Sequence, residues 1–187
     1  MQKSFIALAL LVASASVSVA QSTSMHMIHH NIASGGQPVA AANHITHLLN
    51  LTPQKALVLL NEANYARQHF SLPAPNWQHI WPGTPHEGRG NATFVRSAPA
   101  TILNSWPMNM TENWAHNIPK DPRVYPVVKV ELVSDPWVQF FCVNVHFPSN
   151  RSGNGPARQE SVDRLIDFSD ARPGLPVIIC GDFNMSA

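Results

Sequence analysis

The hydrophobic and polar positions fall into short blocks that change period along the chain. "SMHMIHHNI" (24–32) alternates and predicts a strand. "PVAAANHITHLLNL" (38–51) opens on Pro and sets Ala41, Ile45, Leu48 and Leu49 at helical spacing. "KALVLLNEAN" (55–64) is a continuous apolar run, the pattern of a strand buried on both faces. "YARQHF" (65–70) predicts a short helix, and residues 71–90, rich in Pro, Trp, His and Gly, a loop around one strand, "WQHIW" (77–81). "NATFVRS" (91–97) and "ATILNSW" (100–106) predict two more strands. "VYPVVKVELV" and "WVQFFCVNVHF" flank the turn signal "SDP" (134–136) and predict an antiparallel hairpin. "GPARQESVDRLIDFSDA" (155–171) predicts an amphipathic helix with Val162, Leu165, Ile166 and Phe168 toward the core, and "LPVIICGDF" (175–183) the last strand. Strands and a few helices alternate, with hairpins mixed in. The expected fold class is α/β in the α+β sense: two packed sheets covered by helices, not an all-parallel doubly wound sheet.

Composition sets the limits. The 187 residues suit one domain, and a hydrophobic fraction of 44% suits a sizeable core. Charged residues make up only 12%, well below the roughly 25% of an average soluble protein. The surface must draw on Asn, Ser, Thr, Gln and His. A formal net charge of +1 gives no bulk attraction to nucleic acid or membrane, so an anionic substrate has to be held locally. The first twenty residues pair Lys3 with an apolar stretch rich in Ala and Ser and end on Ser18 and Ala20. That is the pattern of a signal peptide cleaved after Ala20, rather than of a membrane anchor. Residues 21–187 are then an exported, secreted or periplasmic domain. Cys142 and Cys180 both lie in apolar strand-like runs; two buried free thiols and a bridge between neighbouring strands are both open readings.

Four predicted strands end in polar residues: Asn31, Glu62, His146, and the pair Asp182 and Asn184. Glu62 follows Ala56–Leu60 with only Asn61 between, and Asp182 follows Val177–Gly181. A carboxylate so placed is partly desolvated, which is costly without a cation or a hydrogen-bond donor. Two such carboxylates repel each other unless a divalent ion sits with them, and an oxygen-only ligand set suits Mg²⁺, Mn²⁺ or Ca²⁺ rather than zinc. His146 adds a group that is able to stabilise or protonate an oxyanion near neutral pH. Gly181 permits close backbone approach. Asp182 and Asn184 share parity and would face one side if the strand continued through them.

The order of these pieces resembles the endonuclease/exonuclease/phosphatase superfamily, the DNase I-like fold. "HHNIASGG", "LLNEANYARQ", "FFCVNVHFPSN" and "VIICGDFN" match its first four motifs in order. "GRGNATFVRSAPA" resembles its G-n-a-i-l-S-r-x-P strand, and "GPARQESVDRLIDF" the helix before GDFN. Asn61 stands where the family usually has Gln. The resemblance spans about residues 25–187 and implies a four-layer sandwich of two mixed β-sheets flanked by helices. It implies a Mg²⁺ (or Mn²⁺/Ca²⁺) ion on Glu62, with Asn31 contributing directly or through water. Asp182 would orient or deprotonate the attacking water, Asn184 would position the phosphate, and His146 would hydrogen-bond the phosphoryl oxygens. Arg123 or Arg158 would support a phosphate-ester substrate such as nucleic acid or a phospholipid head group. The family's C-terminal Ser-Asp-His does not occur after GDFN, so the chain resembles the first two-thirds of such an enzyme, with the last strands missing. A fragment of this kind is expected to show little turnover and to leave an exposed sheet edge.

Two features stand outside that reading. His26, His29 and His30 cluster, and His44 and His47 lie three apart on a predicted helix; exposed histidines are the ordinary outcome and a second metal site the alternative. N-glycosylation sequons start at Asn50, Asn91, Asn109, Asn150 and Asn184. Rival functions are a non-catalytic exported binding protein on the same scaffold and a zinc hydrolase, for which the H-E-x-x-H helix is lacking.

Overall fold

The computed structural model describes residues 25–32, 37–51, 56–71, 76–81, 90–96, 100–109, 124–133, 135–148 and 155–184. The proposed signal peptide and Arg123 lie outside them. The order of elements is β1 (His26–Asn31), α1 (Pro38–Leu51), β2 (Ala56–Asn61), a 3₁₀ helix (Asn64–His69), β3 (Trp77–Ile80), β4 (Ala92–Arg96), β5 (Ala100–Asn109), β6 (Val124–Leu132), β7 (Asp135–His146), α2 (Gly155–Asp170) and β8 (Val177–Asp182).

The strands form two mixed sheets, ordered β1-β2-β4-β3 and β5-β6-β7-β8. Each contains one parallel pair, β1 with β2 and β7 with β8; the other pairings are antiparallel. The period-two alternation of side chains builds the layers. In β2, Val58 and Leu60 face α1 and pack with Ile45, Leu49 and Phe94. Leu57 and Leu59 face the second sheet and pack with Val95, Val128, Val130 and Cys142. On the far side of that sheet, Val127, Phe141, Val143 and Val145 pack against Leu165 and Phe168 of α2. The order helix, sheet, sheet, helix follows, as expected from the sequence. The continuous apolar runs are continuous because both faces of these strands are covered.

Pro38 enters α1 at the first turn, where its missing N–H costs nothing, and Ala41 N–H donates to Gln37 O at 3.0 Å to start the helix. Its buried stripe is Ala41, Ala42, Ile45 and Leu49. In α2 the buried stripe is Ala157, Ser161, Leu165 and Phe168. Ile166, assigned to the core from its hydrophobicity, is 52% exposed. One residue beyond Leu165, it is turned about 100° around the helix away from the sheet. Two strand boundaries also differ from the sequence reading. β5 runs on through Pro107 to Asn109, tolerated because β5 is, among the described residues, an edge strand and Pro costs no ladder bond on that side. The hairpin turns earlier than "SDP" suggests: Asp135 already pairs with Leu132, and Trp137 stands 94% exposed on β7. Among the described residues, β8 is the outer strand of its sheet, and no helix is long and apolar enough to cross a membrane.

Candidate active site

Both parallel pairs end at the same end of the sandwich, and each delivers polar residues there. Asn31 pairs with Asn61 where β1 and β2 stop, and His146 pairs with Asp182 where β7 and β8 stop. The contacts cross between the sheets. Asn31 Nδ2 donates to Asp182 Oδ2 at 3.1 Å. His146 Nε2 lies 3.6 Å from Glu62 Oε1 and 4.0 Å from Asp182 Oδ2. The imidazole side chain is 5% exposed, whereas the two carboxylates are 32% and 31% exposed. A buried nitrogen thus lies beneath two carboxylates that are open to solvent.

Backbone geometry aims these groups. Glu62 adopts φ +54°, in the left-handed region that a long side chain seldom occupies. Holding it there costs about 1–3 kcal/mol, a strain that clusters at functional sites. Ala63 N–H then donates to Gly90 O at 2.9 Å, tying the residue after Glu62 to the segment before β4. Gly181 has φ +148°, and a Cβ built on it would lie 1.9 Å from Val145 O. Only glycine lets β8 run this close to β7 just before Asp182. Asn184 also has positive φ, +48°, so the strand does not continue through it. Its parity with Asp182 is therefore not what places it. Its backbone N–H caps Asp182 Oδ1 at 2.9 Å, and its Nδ2 donates to Phe147 O at 2.8 Å. Arg158 reaches from α2 to donate to Asn184 O at 3.1 Å. It fastens the loop that carries Asp182 and Asn184.

Beneath the site lies a buried amide network that sequence reasoning passed over. Asn61, noticed only as a departure from Gln, is fully buried. Its Nδ2 donates to Asn144 Oδ1 at 3.0 Å and to Val145 O at 3.1 Å. Its Oδ1 accepts from Asp182 N–H at 3.0 Å and from His29 Nε2. All four bonds an amide side chain is able to make are made. Asn144 Nδ2 donates to Leu60 O at 3.1 Å and Ala92 O at 2.9 Å. Asn91 Nδ2 donates to Asn144 O at 2.9 Å. The two sheets are thereby stapled directly behind the carboxylates. A signal was present in "FFCVNVHF": one amide inside an apolar run has to be paired when buried. Tyr125 is a second omission; its hydroxyl donates to His146 O at 2.7 Å and its ring stacks on Phe147. Asn91 is 1% exposed, so its sequon is closed to a glycan in this fold.

The cysteines are both free. β7 and β8 run parallel with Cys180 beside Asn144 and Cys142 beside Ile178, so the two thiols are offset diagonally. Burial pushes the thiol of Cys142 well above its ordinary range, with Cys180 adding to the effect. Burial likewise raises Cys180, against a backbone hydrogen bond from Gly181 that lowers it.

Among the described residues no three His, Cys, Asp or Glu side chains are spaced to hold one ion. The donors that fit a hard divalent cation are the Glu62 carboxylate and the Asn31 amide oxygen. Such an ion keeps several waters and needs only one or two protein oxygens.

The sequence profile of the Endonuclease/Exonuclease/phosphatase family matches residues 28–187. A search of curated protein sequences gives no match. Solved structures share the fold at low identity. TDP2 from D. rerio, complexed with a single-strand DNA product, is 16% identical with a TM-score of 0.66, over 87% of this chain and 62% of that one. The human Nocturnin catalytic domain with bound sulfate anion is 20% identical with a TM-score of 0.65, over 87% and 65%. A mannosyl-6-phosphatase from Bacteroides thetaiotaomicron is 16% identical with a TM-score of 0.59, over 88% and 67%. The chain thus spans less than two-thirds of the length of the TDP2 and Nocturnin chains. With a profile match over nearly all of its length, the chain belongs to the endonuclease/exonuclease/phosphatase family.

Proposed function

We propose that this chain carries the metal-binding site of a divalent-metal-dependent phosphodiester or phosphomonoester hydrolase, exported through the signal at residues 1–20 and nuclease-like in substrate class. One observation carries the reading: Asn31, Glu62, His146 and Asp182, from strand ends in both sheets, meet at one point. A metal–water site uses that set; a binding scaffold has no need to bring two carboxylates to one nitrogen. TDP2 with its single-strand DNA product and the mannosyl-6-phosphatase lend support for a phosphate ester, whether nucleic acid or another.

In this reading Glu62, with the amide oxygen of Asn31, holds Mg²⁺ or Mn²⁺. Bound there, such an ion would supply Lewis-acid neutralisation of the charge on a phosphate ester. Asp182, fixed by the Asn31 amide, the Asn184 N–H and the Asn61 network, accepts a proton from the attacking water. His146 donates Nε2–H to a phosphoryl oxygen as negative charge develops. Asn184 keeps one Nδ2–H on Phe147 O, and its other Nδ2–H would be available to phosphate. The chain is expected to bind the ion at Glu62.

Thermal unfolding in Mg²⁺ or Mn²⁺ tests this. The wild-type chain should gain stability with rising metal concentration, and Glu62→Gln should lose the gain while keeping its metal-free stability. No metal-dependent gain in the wild type would favour the non-catalytic binding protein on the same scaffold. Steady Mg²⁺-dependent cleavage of a generic phosphodiester, lost in Glu62→Ala, would strengthen the hydrolase reading.

A further inference from the structure

On the opposite face of β1 from the candidate active site, two histidines meet. Residues of β1 alternate in direction: His29 and Asn31 face the second sheet and contact Asn61 and Asp182, while Ile28 packs toward α1 and His30 meets His44 of α1, with Nε2 atoms 3.1 Å apart. Both residues are exposed. Their ring centroids lie 4.9 Å apart with planes inclined by 30°.

Two arrangements bring two imidazole nitrogens this close. In a linear N–H···N hydrogen bond the rings point head to head, which with nitrogens 3.1 Å apart puts the centroids roughly 5.4 Å apart. If both Nε2 lone pairs aim at one ion, with metal–nitrogen bonds of about 2.05 Å, the same separation subtends roughly 100° at the ion. The centroids then lie roughly 4.8 Å apart. Without metal the contact meets hydrogen-bond geometry, one ring donating to the other, and the observed 4.9 Å is also close to the separation of rings converging on one ion. An angle of that size also suits adjacent ligands in square-planar, octahedral or tetrahedral geometry.

The geometry points to a second metal site, formed by His30 Nε2 and His44 Nε2 and selective for a borderline transition ion, Cu²⁺ or Zn²⁺. Imidazole-only donors favour those ions over Mg²⁺, Mn²⁺ or Ca²⁺, which take oxygen. Among the described residues no third His, Cys, Asp or Glu joins the pair, so water completes the coordination. The ion would staple the end of β1 to α1. The site is chemically and spatially distinct from the Glu62 site and does not depend on the hydrolase reading.

The test titrates the full chain with Cu²⁺ and records its electron paramagnetic resonance spectrum, with Zn²⁺ as competitor. The expected result is one equivalent of Cu²⁺ showing superhyperfine coupling to two nitrogens, displaced by Zn²⁺ only in large excess and unaffected by excess Mg²⁺. His30→Gln and His44→Gln should each lose the two-nitrogen signature and weaken binding at least about tenfold. His47→Gln and Glu62→Gln should leave both unchanged. His30→Asn and His44→Asn stand in for any Gln variant whose circular dichroism departs from wild type. A two-nitrogen signal that survives either His30 or His44 replacement overturns the proposal, as does one lost with His47→Gln, displacement by Mg²⁺, or the lack of any such signal.

Discussion

Replacing Asn144 with alanine removes a side chain that is fully buried and makes three hydrogen bonds between the sheets: to Leu60 O at 3.1 Å, to Ala92 O at 2.9 Å and from Asn61 Nδ2 at 3.0 Å. Each bond contributes about 0.5–1.5 kcal/mol, and donors or acceptors left without a partner in the interior add to the loss. The partners are not equally exposed to that loss. Asn61 Nδ2 keeps its bond to Val145 O, whereas the two carbonyls each lose a donor that no neighbouring side chain replaces after truncation to alanine. The expected cost is about 3–4 kcal/mol, a large part of the roughly 5–15 kcal/mol that holds a typical domain folded. Asn91→Ala is the internal comparison. Asn91 is equally buried, but its Nδ2 gives one interaction, to Asn144 O, and its Oδ1 has no partner among the described residues. Losing an unpaired buried oxygen along with one bond should cost about 1 kcal/mol or less. Urea unfolding of both variants, with midpoints and slopes compared, measures the difference without needing activity. Metal titration then reads the second consequence. Asn61 Oδ1 holds the Asp182 N–H, so a loosened Asn61 should weaken Mg²⁺ protection in Asn144→Ala and not in Asn91→Ala. If Asn144→Ala costs no more than Asn91→Ala, the sheets are held by apolar packing alone and the stapling argument is wrong.

Gly181→Ala forces a Cβ to within 1.9 Å of Val145 O at φ +148°, so β7 and β8 must part beside His146 and Asp182; a loss of about 3 kcal/mol or more is expected, and a melting temperature unchanged from wild type would contradict the close approach. The two thiols should be unpaired and slow to alkylate in the native state at pH 8, Cys180 reacting before the more deeply buried Cys142, because burial disfavours the thiolate that reacts. Peptide mass mapping under non-reducing conditions checks this, and a linked Cys142–Cys180 peptide would refute it.

Much of this protein is legible in its sequence, for reasons of pattern. An apolar run such as Ala56–Leu60 needs cover on both faces, so a strand between two layers follows from the letters. The strand-end residues Asn31, Glu62, His146 and Asp182 stand out because polar groups after such runs have to be solvated, paired or used. The motif order carries the family. What the sequence leaves open depends on distance between segments remote in the chain. Ile166 is as hydrophobic as Leu165, and only the angle at which α2 lies on its sheet turns one outward. Asn184 shares parity with Asp182, but its left-handed backbone ends the strand and changes what its amide reaches. The Asn61–Asn144–Asn91 network joins β2, the segment before β4 and β7, and His30 with His44 joins β1 to α1. Neither leaves a spacing that could be read along the chain, because hydrogen bonds and ligand geometry are set by three-dimensional separations of a few ångströms, which only the packing of sheet on sheet and helix on sheet determines.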